Sequence, residues 1–193
     1  MVWAGHGIRL LLKPRLGELG WADPGVPSTR GFLVEHAVWA PECHAWQGRY
    51  YLFASFARDE RRRGTQILVA DKPEGPYRLH SDGPVTPRDW ECLDGTLYVD
   101  PAGKLLMLWS TTGKNGAYTM GYAVSDGNIL GPWRQSAEAV FAQDGGHGML
   151  FRDFGGRLWM TLHRPNNSPN ERPMWVEVTE RDGGLVVRGK TEF

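Results

Sequence analysis

The side chains able to do chemistry here are six histidines, 22 carboxylates, two cysteines and an excess of tryptophan. No Gly-x-Ser-x-Gly elbow is present for a nucleophilic serine. Nor is there a phosphate-cradling glycine loop followed by Lys-Ser/Thr, or a His-Glu-x-x-His zinc pair. Cys43 and Cys92 lack Cys-x-x-Cys spacing and read as buried small hydrophobes, with a disulfide between them conceivable only on repeat position. His147, set in Asp144-Gly145-Gly146-His147-Gly148, reads by residue type alone as a satisfied structural group. Nine tryptophans fit two roles: packing on pleated strands, or stacking a flat ring on the C–H face of a sugar. Lys+Arg (22) and Asp+Glu (22) cancel, so no basic field draws nucleic acid or an anionic membrane. Arg61-Arg62-Arg63 reads as a solvated hairpin tip and Glu91 as a solvated loop residue.

The elements that must position such groups repeat. Gln47-Gly48-Arg49-Tyr50-Tyr51-Leu52-Phe53-Ala54-Ser55 is echoed by Ala102-Gly103-Lys104-Leu105-Leu106-Met107-Leu108-Trp109-Ser110. It is echoed again by Gly155-Gly156-Arg157-Leu158-Trp159-Met160-Thr161-Leu162-His163. Each is a turn glycine, a basic residue, then an apolar strand closing on a small or polar group. A strand-and-turn repeat of about 55 residues marks β-propeller blades. Further strands are expected at Thr65–Ala70, Gly75–Leu79, Leu93–Asp100, Tyr118–Ser125, Gly131–Arg134, Gly148–Asp153, Met174–Glu180 and Leu185–Arg188. No stretch holds a 3.6-residue period, so the fold class is all-β, with about four antiparallel strands per blade. Residues 1–35, rich in Gly, Pro and charge, read as an irregular N-terminal segment, and 36–193 as a partial propeller of about three blades.

The wording of these repeats resembles a known family. Trp39-Ala40-Pro41-Glu42-Cys43-His44, followed by Gly48–Phe53, looks like the second-blade motif of family 43 glycoside hydrolases. Leu93-Asp94-Gly95-Thr96-Leu97-Tyr98-Val99-Asp100 resembles the third-blade motif, and Gly146–Phe151 with Leu158–Asn166 the fifth. The resemblance implies five-bladed propellers acting on arabinofuranosides and xylosides. It implies inversion by three carboxylates: a base in the first blade, a pKa-modulating aspartate in the third, an acid in the fourth. Asp94 takes the modulator position. Asp23, in the sole upstream Asp-Pro, is the candidate base, and Glu42, opening a strand, a further carboxylate candidate. Inversion needs acid and base about 6.5–9.5 Å apart, with room for water. Leu97–Lys104 runs straight into Leu105–Ser110, as though the front of blade three were joined to the back of blade four. On that reading the acid-bearing segment is missing and the chain is incomplete relative to a five-bladed ring.

The resemblance also implies a sugar site lined by Trp39, His44, His147, His163 and Asn166. It implies no required cofactor, but a central calcium in some members, to which His147 would reach through water because calcium prefers oxygen ligands. The expected partner is an oligosaccharide or polysaccharide, with no nucleic acid or membrane. Exposed blade edges make self-association an expectation. The N-terminus lacks the basic opening of a signal peptide, which makes the cytoplasm the default location. A non-catalytic carbohydrate-binding or interaction propeller that has lost acid and base is the alternative to an enzyme.

Overall fold

The computed structural model describes residues 39–57, 63–113, 116–181 and 184–191. Among these residues there are strands and turns and no helix. The first sheet runs in chain order through β1 (Trp39–Trp46), β2 (Arg49–Ala57), β3 (Arg63–Ala70) and β4 (Arg78–Leu79). The second runs through β5 (Leu93–Val99), β6 (Leu105–Thr112), β7 (Tyr118–Ser125) and β8 (Arg134–Gln135). The third comprises β9 (Gly146–Arg152), β10 (Leu158–Arg164), β11 (Arg172–Arg181) and β12 (Gly184–Thr191). The fold class is therefore as expected: all-β, built of four-stranded antiparallel blades. The chain divides into two compact units, with the boundary between Gly95 and Thr96. The irregular segment expected over 1–35 lies outside the described residues. Among the described residues no helix is long and apolar enough to cross a membrane.

The repeat glycines do what their positions demand. Gly48, Gly103 and Gly156 have φ of +74°, +84° and +81°, the left-handed region that other residues enter only at a cost. Each closes the hairpin between the first and second strands of its sheet. In the later two copies an aspartate completes the turn. The N–H of Asp100 donates to the carbonyl of Lys104 at 2.9 Å, and that of Asp153 to Arg157 at 3.0 Å. The Asp100 carboxylate accepts from the N–H groups of Ala102 and Lys104, both at 2.8 Å, and Asp153 accepts from Arg157 N–H at 2.9 Å. The run from Leu97 through Lys104 into Leu105 is thus an ordinary tight hairpin inside one complete blade.

Burial follows the residue patterns. β2 and β6 are near-continuous apolar runs, and both their faces are covered. β9 and β11 alternate, with Leu150, Met174, Val176 and Val178 buried while Met149 and Trp175 stay exposed. In the second unit, Leu106, Leu108 and Met120 share one core with Leu150, Met160 and Leu162, which fastens the second sheet to the third. In the first unit a separate core gathers Leu52, Ala54, Phe56 and Leu68. Each of the Leu, Met and Phe side chains among them contributes about 1.5–3 kcal/mol on burial.

Two sequence expectations need correction, the solvated reading of Arg63 and Glu91 and the buried reading of Cys43, and the first strand has a feature of its own. Residues 39–46 form a full strand, although Pro41 cannot donate to a ladder. The register shifts between Trp39 and Glu42, so Pro41 sits in a bulge, where a missing N–H costs little. Arg63 is a half-buried strand residue whose guanidinium lies 4.3 Å from the Trp39 ring centroid and is ion-paired with Glu91. Neither it nor Glu91 is a freely solvated turn group; Arg61 and Arg62 lie outside the described residues. Cys43 and Cys92 are both free, and only Cys92 is buried as expected; Cys43 lies exposed on β1. Cys43 Sγ is 3.0 Å from the Tyr77 hydroxyl, while burial pushes the Cys92 thiol up to about 12.

The Asp153 turn carries a pH dependence. The indole N–H of Trp159 donates to its carboxylate at 3.0 Å, and with the Arg157 contacts holds its pKa down at about 2 from an ordinary 3.8. A depressed carboxylate stabilises the fold above its unfolded pKa and loses that contribution as pH falls through its folded one. Trp159 emission should therefore change over an interval centred on about pH 2, and Asp153→Asn should abolish that change. A wild-type profile flat over that interval would remove the turn's role.

Candidate functional site

The groups of interest lie where the first strand of each sheet breaks its own ladder. Ala40, Asp94 and His147 have φ of +37°, +56° and +50°. Each is the second residue of its strand, and each is followed by Pro41, Gly95 or Gly148. In β1 and β9 the register shifts at this point: Trp39 pairs with Ser55 but Glu42 with Phe53, and Gly146 pairs with His163 but Met149 with Thr161. Two residues thus oppose one, which re-aims a side chain out of the strand's alternation. A left-handed non-glycine residue costs of order 1–3 kcal/mol and persists only where its surroundings hold it.

In the first unit the holding group is a pair of buried hydroxyls. The N–H of Asp94 donates to Ser55 Oγ at 2.9 Å, and the N–H of Gly95 to Thr65 Oγ1 at 3.2 Å. The two oxygens are 3.4 Å apart, and both residues are fully buried. A Cβ on Gly95 would lie 2.5 Å from Thr65 Oγ1, so only glycine permits this approach. Trp39 pairs with Ser55 in the ladder, and Glu42 and His44 pair with Phe53 and Tyr51 along the same sheet face. Glu42 Oε2 is 3.3 Å from His44 Nε2, an ion pair when the histidine is protonated. Trp39 is 47% exposed, with Arg63 stacked on its ring. The structure therefore brings Trp39, Glu42, His44 and Asp94 to one sheet and its adjoining strand; Asp23 lies outside the described residues.

The second unit holds the other group. His147 is exposed, and its N–H donates to Ser110 Oγ at 2.9 Å. His163, opposite Gly146, places Nε2 2.9 Å from Asn166 Oδ1 and stacks on Tyr118 with ring centroids 5.9 Å apart. Asp144 (φ +58°) accepts from the N–H of Tyr118 and the N–H of Asn166, both at 3.3 Å. It ties β7 to the loop after β10. The expected His163 and Asn166 thus come together around a tyrosine and an aspartate that sequence reasoning did not single out, while His147 is tied separately through its backbone to Ser110. Asp144 was visible in the glycine run beside His147. Tyr118 carried no signal beyond opening a strand.

Among the described residues no three His, Cys, Asp or Glu side chains are grouped so as to hold a metal. An exposed imidazole is a poor match for an oxygen-seeking calcium ion, so no step of the chemistry below runs through one.

The family model "Glycosyl hydrolases family 43" matches residues 20–118. The xylosidase/arabinosidase 43A of Humicola insolens is 28% identical over 113 residues, 56% of this chain and 33% of that relative. The chain thus matches a third of the length of that curated relative. Among solved structures, the GH43_1 enzyme of Xanthomonas citri complexed with xylotriose superposes with a TM-score of 0.61 at 14% identity, over 92% of this chain and 60% of that one. A β-xylosidase/α-arabinofuranosidase from a compost microbial metagenome, solved with xylotriose in a calcium-free form, gives 0.60 at 14% identity, over 83% and 59%. These two likenesses establish the fold.

Asp144 should matter more to stability than its partner Asn166. Its replacement by Ala orphans two backbone donors, an expected loss of about 1–3 kcal/mol, against about 0.5–1.5 kcal/mol for Asn166→Ala. Urea denaturation of both variants checks the ordering; equal losses would leave Asp144 no stapling role.

Proposed function

The chain belongs to glycosyl hydrolases family 43, and from that premise we propose that it recognises arabinose- or xylose-containing oligosaccharides and hydrolyses their O-glycosidic bonds with inversion. The observation that carries the reading is Asp94, a left-handed residue whose N–H is held by the buried Ser55 hydroxyl. A carboxylate so fixed can act on a neighbouring acid: its negative charge raises that acid's pKa and keeps it protonated near neutral pH. Asp94 is the modulator in this reading. Asp23 is the base candidate and Glu42, paired with His44, a second candidate carboxylate. Trp39 offers an aromatic face to a sugar ring, and His147, His163 and Asn166 offer hydrogen bonds to hydroxyls. The xylotriose bound by the Xanthomonas citri and compost-metagenome enzymes supports an oligosaccharide as the ligand class. Calcium enters only as an ion that water could bridge to His147.

One observation favours a second reading, a sugar-binding protein without turnover. The three matching bulge positions carry Ala40, Asp94 and His147, so only one of them presents a carboxylate. Inverting hydrolysis needs two carboxyl groups, one to protonate the leaving oxygen and one to activate a water on the opposite face of the sugar.

Release of 4-nitrophenol from arabinofuranoside and xyloside substrates separates the two. Under the hydrolytic reading the wild-type chain turns over and Asp94→Asn lowers kcat/KM by roughly 10²-fold. Turnover indistinguishable from a boiled control, alongside calorimetric binding of xylotriose, would sink hydrolysis and leave the binding reading standing.

A further inference from the structure

A serine near the end of the second strand recurs in the first two sheets, and in both it faces the left-handed residue in the first strand of the following sheet. Ser55 ends the run Tyr51–Ser55 and accepts from Asp94 N–H; Ser110 ends Leu106–Ser110 and accepts from His147 N–H, each at 2.9 Å. Both serines are fully buried. The surroundings differ. Beside Ser55 the paired residue is Thr65, whose hydroxyl holds the next N–H; beside Ser110 the paired residue is Met120, whose sulfur lies under Gly148. What the two arrangements share is the serine hydroxyl, a positive-φ residue bearing a polar side chain, and a glycine after it.

From this repetition we propose that Ser55 and Ser110 are positioning residues, each locking the backbone that aims one functional side chain: Asp94 for Ser55, His147 for Ser110. The chemistry requires it. An N–H turned out of its ladder needs an acceptor, and here the acceptors are the hydroxyls of the fully buried Ser55 and Ser110. Without one, the strand regains its pairing by returning to extended dihedrals, and the side chain swings back into the strand's alternation. A hydroxyl acceptor therefore fixes where the carboxylate or imidazole points without touching a substrate. In the third repeat the same position holds His163, which is committed to Asn166 and Tyr118, so the device serves the first two copies.

That these side chains meet a sugar rests on the proposed function; that the serines hold them does not, and two readouts keep the claims apart. The three-bond HN–Hα coupling reports φ directly and can be measured at Asp94 and His147 in the intact chain. Ser55→Ala should move the Asp94 coupling towards the extended value and leave His147 unchanged; Ser110→Ala should do the converse. Thr65→Val, which removes the acceptor of Gly95 but not that of Asp94, controls for general loosening and should leave both couplings in place. Added xylotriose should perturb the Asp94 and His147 resonances of the wild type. In Ser55→Ala the Asp94 response should vanish while that of His147 persists. If the alanine variants lower thermal stability with both couplings intact, the serines are structural filler and the proposal is overturned. Should the alanine variants unfold, Ser55→Cys and Ser110→Cys retain the volume with a weaker acceptor and take the same measurement, with smaller selective shifts supporting and unchanged couplings overturning. A wild type whose resonances ignore xylotriose counts against the sugar reading alone; the couplings then still decide the role of the serines.

Discussion

A strand that must present a polar side chain from a sheet covered on both faces has to break its own hydrogen-bond ladder, and each broken N–H has to find a partner. In this chain the partner is a buried hydroxyl on an adjacent sheet strand. Ser55 and Thr65 receive the N–H groups of Asp94 and Gly95; Ser110 receives that of His147. The glycines that follow are part of the same constraint. A Cβ on Gly148 would lie 2.3 Å from the Thr161 carbonyl and 2.8 Å from Met120 Cε, so the bulged strand could not come this close with any other residue. Close approach, hydroxyl acceptor and left-handed residue stand or fall together.

The same geometry explains why the polar groups cluster as they do. In the first unit, the ladder that pairs Trp39 with Ser55 brings an indole beside the hydroxyl that anchors Asp94, and the Glu42–His44 pair lies on the same face. In the second, the register that sets His163 against Gly146 leaves His163, Asn166, Tyr118 and Asp144 in one connected group, with His147 next to Gly146 in the strand. Both groupings arise at the bulged end of a first strand. The opposite hairpin ends, with their aspartate–glycine turns, carry shape and stability instead.

Much of this was legible because it is periodic. The turn glycines at 48, 103 and 156 and the apolar runs after them fixed the hairpins, and a blade is little more than hairpins in series. Continuous burial in β6 and alternation in β9 were written in their residues. The strand β1 was less visible, because Pro41 argues against a strand unless a bulge is already assumed. Arg63 and Glu91 misled for a related reason. Composition marks both as surface groups, and only the fold pairs them across 28 positions over an indole. Of the candidate site, Asp94, His147, His163 and Asn166 are proposed from motifs that the sequence carries. Ser55 and Ser110 stood in the repeat merely as small polar endings, since a hydroxyl's role depends on the N–H that tertiary structure delivers to it.

The central claim is that the bulged first strands present functional side chains, with Asp94 foremost. A crystal structure of this chain soaked with xylotriose tests it most directly. The account predicts a sugar hydroxyl or glycosidic oxygen within hydrogen-bond distance of the Asp94 carboxylate, with the Ser55 Oγ contact to its N–H preserved. A well-ordered sugar bound only elsewhere, with Asp94 untouched, would contradict it.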